Sequence, residues 1–178
     1  MALFGKTSEE MVWNYLFKQI GNEYGVAGLM GNLYAESGLR PNNLQNSTEK
    51  RIGHTDASYT AAVDNGNYTQ FVTDCVGYGL AQWTSAGRKQ NLFNYIKSHG
   101  KSIGDMEGQL EFLIEEMRTG YKKVWNTLKS AVSIKEASDS VLTGYERPKD
   151  QSTEMKQKPA SAGFLRYFLV CASGLERF

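Results

Sequence analysis

Between residues 22 and 37 the chain reads NEYGVAGLMGNLYAES, an apolar stretch with glycines at positions 25, 28 and 31. Each glycine forgoes about 1 kcal/mol of helix propensity relative to alanine. Three of them, three residues apart, share one face of a helix and call for another segment packed very close to it. The stretch is read as a central core helix ending at Glu36, just before Ser37-Gly38 and with Pro41 close behind. A carboxylate there faces the negative end of the helix dipole and the unpaired carbonyls of the last turn, which disfavours ionisation. Partial desolvation raises the pKa further, and a carboxyl still protonated near neutral pH can act as a general acid. A surface glutamate that happens to precede a glycine stop fits the same letters.

The remaining periodicity is mostly helical. Thr7 and Glu10 have the spacing of a capping box, and Met11, Val12, Tyr15, Leu16 and Ile20 follow on one helical face, which predicts a first helix over residues 8–20. In the second half, AGRKQNLFNYIKSHG, DMEGQLEFLIEEM, YKKVWNTLKSA and SIKEASDSVLTGYE each show helical spacing, the last with Ser133 and Glu136 as a second capping box. Residues 46–76 lose this period and are rich in Thr, Tyr and Val, with Asn65-Gly66-Asn67 as a turn signal, so a small hairpin or irregular lobe is expected. RPKDQSTEMKQKPAS reads as an exposed loop, and an apolar closing helix is expected over residues 160–173. The fold class expected is mainly α (α+β), one domain over residues 1–178 with a small β-containing lobe.

Composition narrows the function. With 178 residues, 20 Lys and Arg against 19 Asp and Glu, and a net charge of +1, the chain lacks the basic excess of a nucleic-acid binder. No apolar run is long enough to span a bilayer, and the N-terminal residues do not read as an export signal. Two histidines, His54 and His99, without CxxC or HExxH spacing, give no metal site, and no cofactor is expected. Cys75 and Cys171 are too few for a disulfide framework.

Residues 71–88, FVTDCVGYGLAQWTSAGR, place Asp74 ahead of Tyr78, Gln82 and Trp83. Aromatic faces beside amide donors and acceptors suit a sugar ring, with its apolar C–H faces and polar hydroxyl edge. Tyr78 and Trp83 serve equally well as core aromatics.

Three stretches in order resemble the phage tail lysozyme family, a branch of the lysozyme-like glycosidases that includes goose-type lysozymes and lytic transglycosylases. They are YAESGLRPNNLQ at 34–45, YTAAVDNGNYTQFVTDCVGYGLAQWT at 59–84 and GYERP at 144–148. The resemblance implies a lysozyme-like helical domain acting on bacterial peptidoglycan, with Glu36 at the catalytic acid position. It sets Gln82, in a GLAQ that is similar to the GLMQ of related families, against substrate, and Tyr145, before Glu146, near the acid. Ala81 departs from the methionine common in those relatives. Tyr78, Trp83 and Glu146 complete the expected substrate-binding set, in a cleft between the helical body and the lobe of residues 46–76.

An inverting glycosidase needs a second carboxylate to activate water. Asp74 is the candidate, with Asp56, Asp64 and Glu146 as alternatives, and Asp74 also fits as a turn residue capping the next segment. The reaction expected is hydrolysis of β-1,4 bonds after N-acetylmuramic acid, with a transglycosylase giving 1,6-anhydro ends as the alternative. TDCVGYG also resembles the DCSG of cell-wall cysteine peptidases, which would pair Cys75 with His99. A non-catalytic wall-binding or tail-assembly module is the third possibility. The expected partners are glycan strands, with phage tail proteins or a longer parent chain; action is expected outside the cytoplasm, delivered by a phage particle or released at lysis.

Overall fold

The computed structural model describes residues 3–146, so the closing helix expected over 160–173, together with Arg147 and Cys171, lies outside the described residues. Within the described residues the chain falls into two compact units, each drawn from separated stretches of sequence: an inner unit of Leu3 and Glu36–Glu115, and a terminal unit of Phe4–Ala35 and Glu116–Glu146. The fold is mainly α, and among the described residues β structure is limited to two isolated bridges, Leu44 with Tyr78 and Tyr78 with Trp83.

In the terminal unit, α1 (Ser8–Ile20) begins where Thr7 accepts a hydrogen bond from the Glu10 N–H at 3.2 Å. Glu10 does not return the bond to Thr7; its carboxylate accepts from the Lys6 N–H at 2.6 Å, one residue earlier. Ser133 and Glu136 repeat this displaced pattern at the start of α8 (Ile134–Val141), with Glu136 reaching the Val132 N–H at 3.0 Å. In each case one orphan donor of the first turn and the N–H just ahead of the N-cap are satisfied. The buried stripe of α1 is Val12, Trp13, Tyr15, Leu16 and Ile20, so Trp13 takes the inward place expected of Met11.

Next, α2 (Glu23–Ser37) is started by Asn22, whose Oδ1 accepts from the Gly25 N–H at 3.1 Å. Val26, Leu29, Met30 and Leu33 are buried at or below 1% exposure. The glycines do what their spacing demands. A Cβ at Gly25 would run into the Leu128 carbonyl of α7 (Lys122–Ser130), and one at Gly28 would lie 2.5 Å from the Ala137 Cβ of α8. Buried Asn32 joins the same seam, donating to the Gly28 carbonyl at 2.7 Å and to Ser138 Oγ at 3.1 Å.

In the inner unit the chain turns twice through left-handed backbone at Gly38 and Leu39, with Leu39 buried. After a single 3-10 turn at Asn46–Thr48 come α3 (Glu49–Ile52) and α4 (Asp56–Asp64), then an irregular segment to Ser85, α5 (Ala86–Ser98) and the first part of α6 (Met106–Gly120). The hairpin expected within residues 46–76 is therefore replaced by helix. Tyr59 and Val63, four apart, bury one face of α4, and Thr55 with Ser58 forms a reciprocal capping box. The Asn65-Gly66 pair ends this helix instead of turning a hairpin, since left-handed Gly66 (φ 74°) serves a helix stop as readily as a tight turn. No helix among the described residues is long and apolar enough to cross a membrane.

Candidate active site

Glu36 occupies the penultimate position of α2, and the next residue fixes the helix end: buried Ser37 donates from Oγ to the Leu80 carbonyl at 2.9 Å. Glu36 keeps a solvent-accessible side, yet enough protein surrounds its carboxyl that desolvation raises the pKa above the ordinary glutamate value. The positive charge of Arg88, half-buried near the start of α5, acts in the opposite sense and is the weaker effect. Among the described residues no hydrogen bond holds the Glu36 carboxyl.

The loop beside it is stitched by side chains. Gln109, fully buried on α6, accepts from the Leu80 N–H at 2.9 Å and donates to the carbonyls of Pro41 and Ile103, both at 2.6 Å. A Cβ at Gly79 would lie 2.6 Å from Gln109 Oε1, so glycine there (φ 77°) serves both the backbone turn and the close approach. Backbone bonds from Gly79 to Asn43 and from Gln45 to Gly77, both 2.9 Å, tie residues 43–45 to 77–79.

Gln82 sits in left-handed backbone (φ 45°) and donates from Nε2 to the carbonyls of Asn43 (3.0 Å) and Gly79 (3.1 Å). Two carbonyl acceptors fix the amide orientation and leave Oε1 as the side chain's acceptor atom. Tyr78 and Trp83 are both at 0% exposure. Tyr78 packs on Tyr59 and Phe71 and shares a 2.6 Å hydrogen bond with Thr60; Trp83 packs on Phe112. Neither presents a ring face to a sugar, so the core-aromatic reading replaces stacking at both positions.

Three aspartates of the inner unit share one arrangement, in which a carboxylate receives a cation and a backbone N–H. Asp56 takes Arg40 at 2.9 Å and the Leu44 N–H at 2.9 Å. Asp64 takes Lys97 at 2.6 Å, the Ile103 N–H at 3.0 Å and the Ser102 hydroxyl at 2.5 Å; burial alone would raise its pKa, but these bonds override it and hold the pKa below the ordinary value. Asp74 takes Lys89 at 2.6 Å and the Val76 N–H at 3.0 Å on Oδ1, with the Tyr59 (2.5 Å) and Tyr68 (3.2 Å) hydroxyls on Oδ2. The Lys89 and Asp74 side chains are 0% and 3% exposed. With two donors on each oxygen, Asp74 has no acceptor site aimed at solvent water.

Tyr145 and Glu146 belong to the terminal unit, within a π turn, Leu142–Glu146. Tyr145 is 2% exposed, donates to the Glu116 carboxylate at 2.6 Å and meets Tyr121 edge-on at 4.8 Å. Cys75 is exposed and its Sγ lies 3.7 Å from the Thr73 carbonyl; His99 contacts the Tyr95 carbonyl through Nδ1 at 2.7 Å. No hydrogen bond joins Cys75 to His99. Sequence reasoning passed over Arg88, Lys89 and Gln109. The available signal was two cations at the start of a helix, where the dipole disfavours them, and a glutamine on the apolar face of α6.

A mainly α, lysozyme-like domain with an exposed, pKa-raised glutamate at the end of its glycine-seamed helix is the class these features define. The chain belongs to the phage tail lysozyme family, whose model matches residues 7–167. It is also similar to morphogenesis protein 1 of Bacillus phage B103, at 26% identity over 148 residues, covering 78% of this chain. The matched region spans only 33% of that relative. Family membership carries a lysozyme-like, peptidoglycan-degrading role in general terms.

Proposed function

We propose that this chain cleaves the β-1,4 bond between N-acetylmuramic acid and N-acetylglucosamine in bacterial peptidoglycan, with Glu36 protonating the leaving oxygen. The observation that carries this reading is the environment of Glu36: a carboxyl at a helix C-terminus, raised in pKa by burial and held by no hydrogen bond among the described residues, is suited to holding a proton longer than an ordinary glutamate and then donating it. Gln82 Oε1 accepts from a sugar hydroxyl or amide. The family and the phage morphogenesis relative support delivery by a phage particle, as part of a longer protein or beside other tail proteins.

Water attacking the face opposite the leaving group would invert the anomeric carbon. A second reading, favoured by a specific observation, replaces that water with the sugar's own 6-hydroxyl and leaves a 1,6-anhydro end. The observation is that Asp56, Asp64 and Asp74 are each engaged by a cation and a backbone N–H. Mass spectrometry of soluble products from purified peptidoglycan tests both. Reducing-end muramic acid, released first as the α-anomer by proton NMR, supports the inverting muramidase. Anhydro ends support the second reading. Reducing-end glucosamine or free stem peptides would refute both.

A further inference from the structure

The start of α5 is poorly built as an isolated helix. Its N-cap, Ser85, makes no side-chain capping bond, Gly87 sits in the first turn, and Arg88 and Lys89 place two cations at the end of the helix where the dipole is positive. Something outside the helix must hold this turn, and the structure contains it. Lys89 is fully buried, and its ammonium meets three acceptors: Asp74 Oδ1 at 2.6 Å, the Val76 carbonyl at 3.0 Å and the Tyr59 hydroxyl at 3.3 Å. The Phe71 ring lies 4.3 Å from Nζ. An ammonium has three N–H bonds, so no donor is left over and the head group has one position. Asp74 is as fully engaged from its own side by Tyr59, Tyr68 and the Val76 N–H. The adjacent residue is Arg88, the cation whose charge reaches Glu36.

We propose that Lys89 and Asp74 form the positioning pair of the Glu36 site: they lock the first turn of α5, and with it Arg88, to residues 71–76, just ahead of the Leu80 carbonyl that the Ser37 hydroxyl meets beside Glu36. The proposal rests on Glu36 being that acid. It makes Asp74 a positioning residue that does not touch substrate, and it explains why a buried cation, costly to desolvate, follows an arginine in a glycine-containing helix start. The charged and titratable groups facing the pair are Tyr59, Tyr68 and Cys75, and the charged group acting on Glu36 is Arg88.

The test uses the full chain carrying Lys89→Met, Asp74→Asn, both together, Arg88→Gln, and Lys97→Met as a control that breaks a different ion pair of the same helix. Three readouts are needed: thermal unfolding, the pH profile of kcat/KM on peptidoglycan, and a carbon NMR titration of the labelled Glu36 carboxyl. Each single variant of the pair should lower kcat by about 100-fold, the loss typical of a small misplacement at a site. Each should also move the alkaline limb and the Glu36 titration upward, as Arg88→Gln does by removing the charge directly. The double variant should lose no more activity than the worse single, because each single and the double break one and the same lock, and its titration should stay moved with theirs. Lys97→Met should lower the melting temperature and leave the limb in place.

A Lys89→Met variant that keeps full activity and titrates normally while Asp74→Asn is inactive would overturn the proposal and make Asp74 a catalytic base. Single variants that melt earlier but titrate normally would overturn it in favour of a purely structural pair. Should the singles fail to fold, a double variant whose Glu36 titrates as in Arg88→Gln supports the proposal, and one whose Glu36 titrates as in the unaltered chain overturns it. Unaltered protein that releases no glycan would instead remove the glycosidase reading, whereas the NMR titration needs no turnover and tests the pair regardless.

Discussion

The terminal and inner units solve the problem of close packing in opposite ways. In the terminal unit α2 approaches α7 and α8 by omission: Gly25 and Gly28 have no side chain where the Leu128 carbonyl and Ala137 arrive, and Leu29, Met30 and Leu33 fill the space beside them. The backbone bonds of those helices are internal, so the seam needs only shape. In the inner unit much of residues 38–45 and 65–85 has no regular ladder, and its buried backbone groups must find partners elsewhere. They find them in Gln109, Asp56 and Asp64, each bonding a backbone N–H across a gap in sequence, and in Asp74, which bonds the Val76 N–H two residues on. An apolar seam sets how far apart helices lie. A polar stitch sets where a particular atom lies, and a proton donor needs the latter.

The largest effect expected from this contrast falls on Glu36. Glu36→Gln keeps shape and removes the proton, so activity should fall by roughly 100- to 10,000-fold with an unchanged circular dichroism spectrum; substantial lysis by the folded variant would remove the acid assignment. The sign of the pH dependence follows from the raised pKa. The protonated form is present at low pH and is lost as pH rises through the folded-state value, so activity has an alkaline limb that Glu36 sets. A profile flat through neutral and mildly alkaline pH would contradict it.

Gly25→Val strikes the terminal seam. The new side chain meets the Leu128 backbone carbonyl, which cannot rotate away, and overpacking of this kind costs about 3 kcal/mol. Denaturant unfolding should show the loss directly. A variant of ordinary stability would mean that α2 is not held close to α7 in solution.

Gln109→Leu strikes the polar stitch while preserving an apolar volume. It leaves the Leu80 N–H and the Pro41 and Ile103 carbonyls without their partner, at a cost of about 2 kcal/mol in stability by the usual penalty for an unsatisfied buried group. Its activity should fall by more than its stability change accounts for when assayed well below the melting temperature. Equal activity per folded molecule would show that the loop at residues 79–82 keeps its shape without Gln109, and would weaken the distinction between the two units.

Much of the terminal unit was legible from residue order because its determinants are local or periodic. The Thr7 and Ser133 starts, the buried stripe of α1 and the demand of Gly25 and Gly28 for a close neighbour all follow from spacing along one helix. The end of α2 at Glu36-Ser37 was equally readable from Gly38 and Pro41. The segment around α4 was misread because Asn-Gly is ambiguous by itself; what decided for helix was burial of Tyr59 and Val63 against partners distant in sequence.

The candidate site divides along the same line. Sequence alone, through the motif and the helix-end argument, marked Glu36 as a candidate acid and residues 71–88 as a candidate binding stretch. Only the tertiary structure decided what Asp74, Tyr78 and Trp83 are surrounded by, because a carboxylate's partners and a ring's exposure depend on residues brought together from elsewhere in the chain. Lys89 meeting Asp74 and Gln109 meeting Leu80 are contacts between segments 15 and 29 residues apart, and the charge of Arg88 acts on Glu36 from 52 residues away in sequence. Spacing rules reach about two turns of a helix, and the electrostatics that raise or lower a pKa reach as far as folding brings charges together.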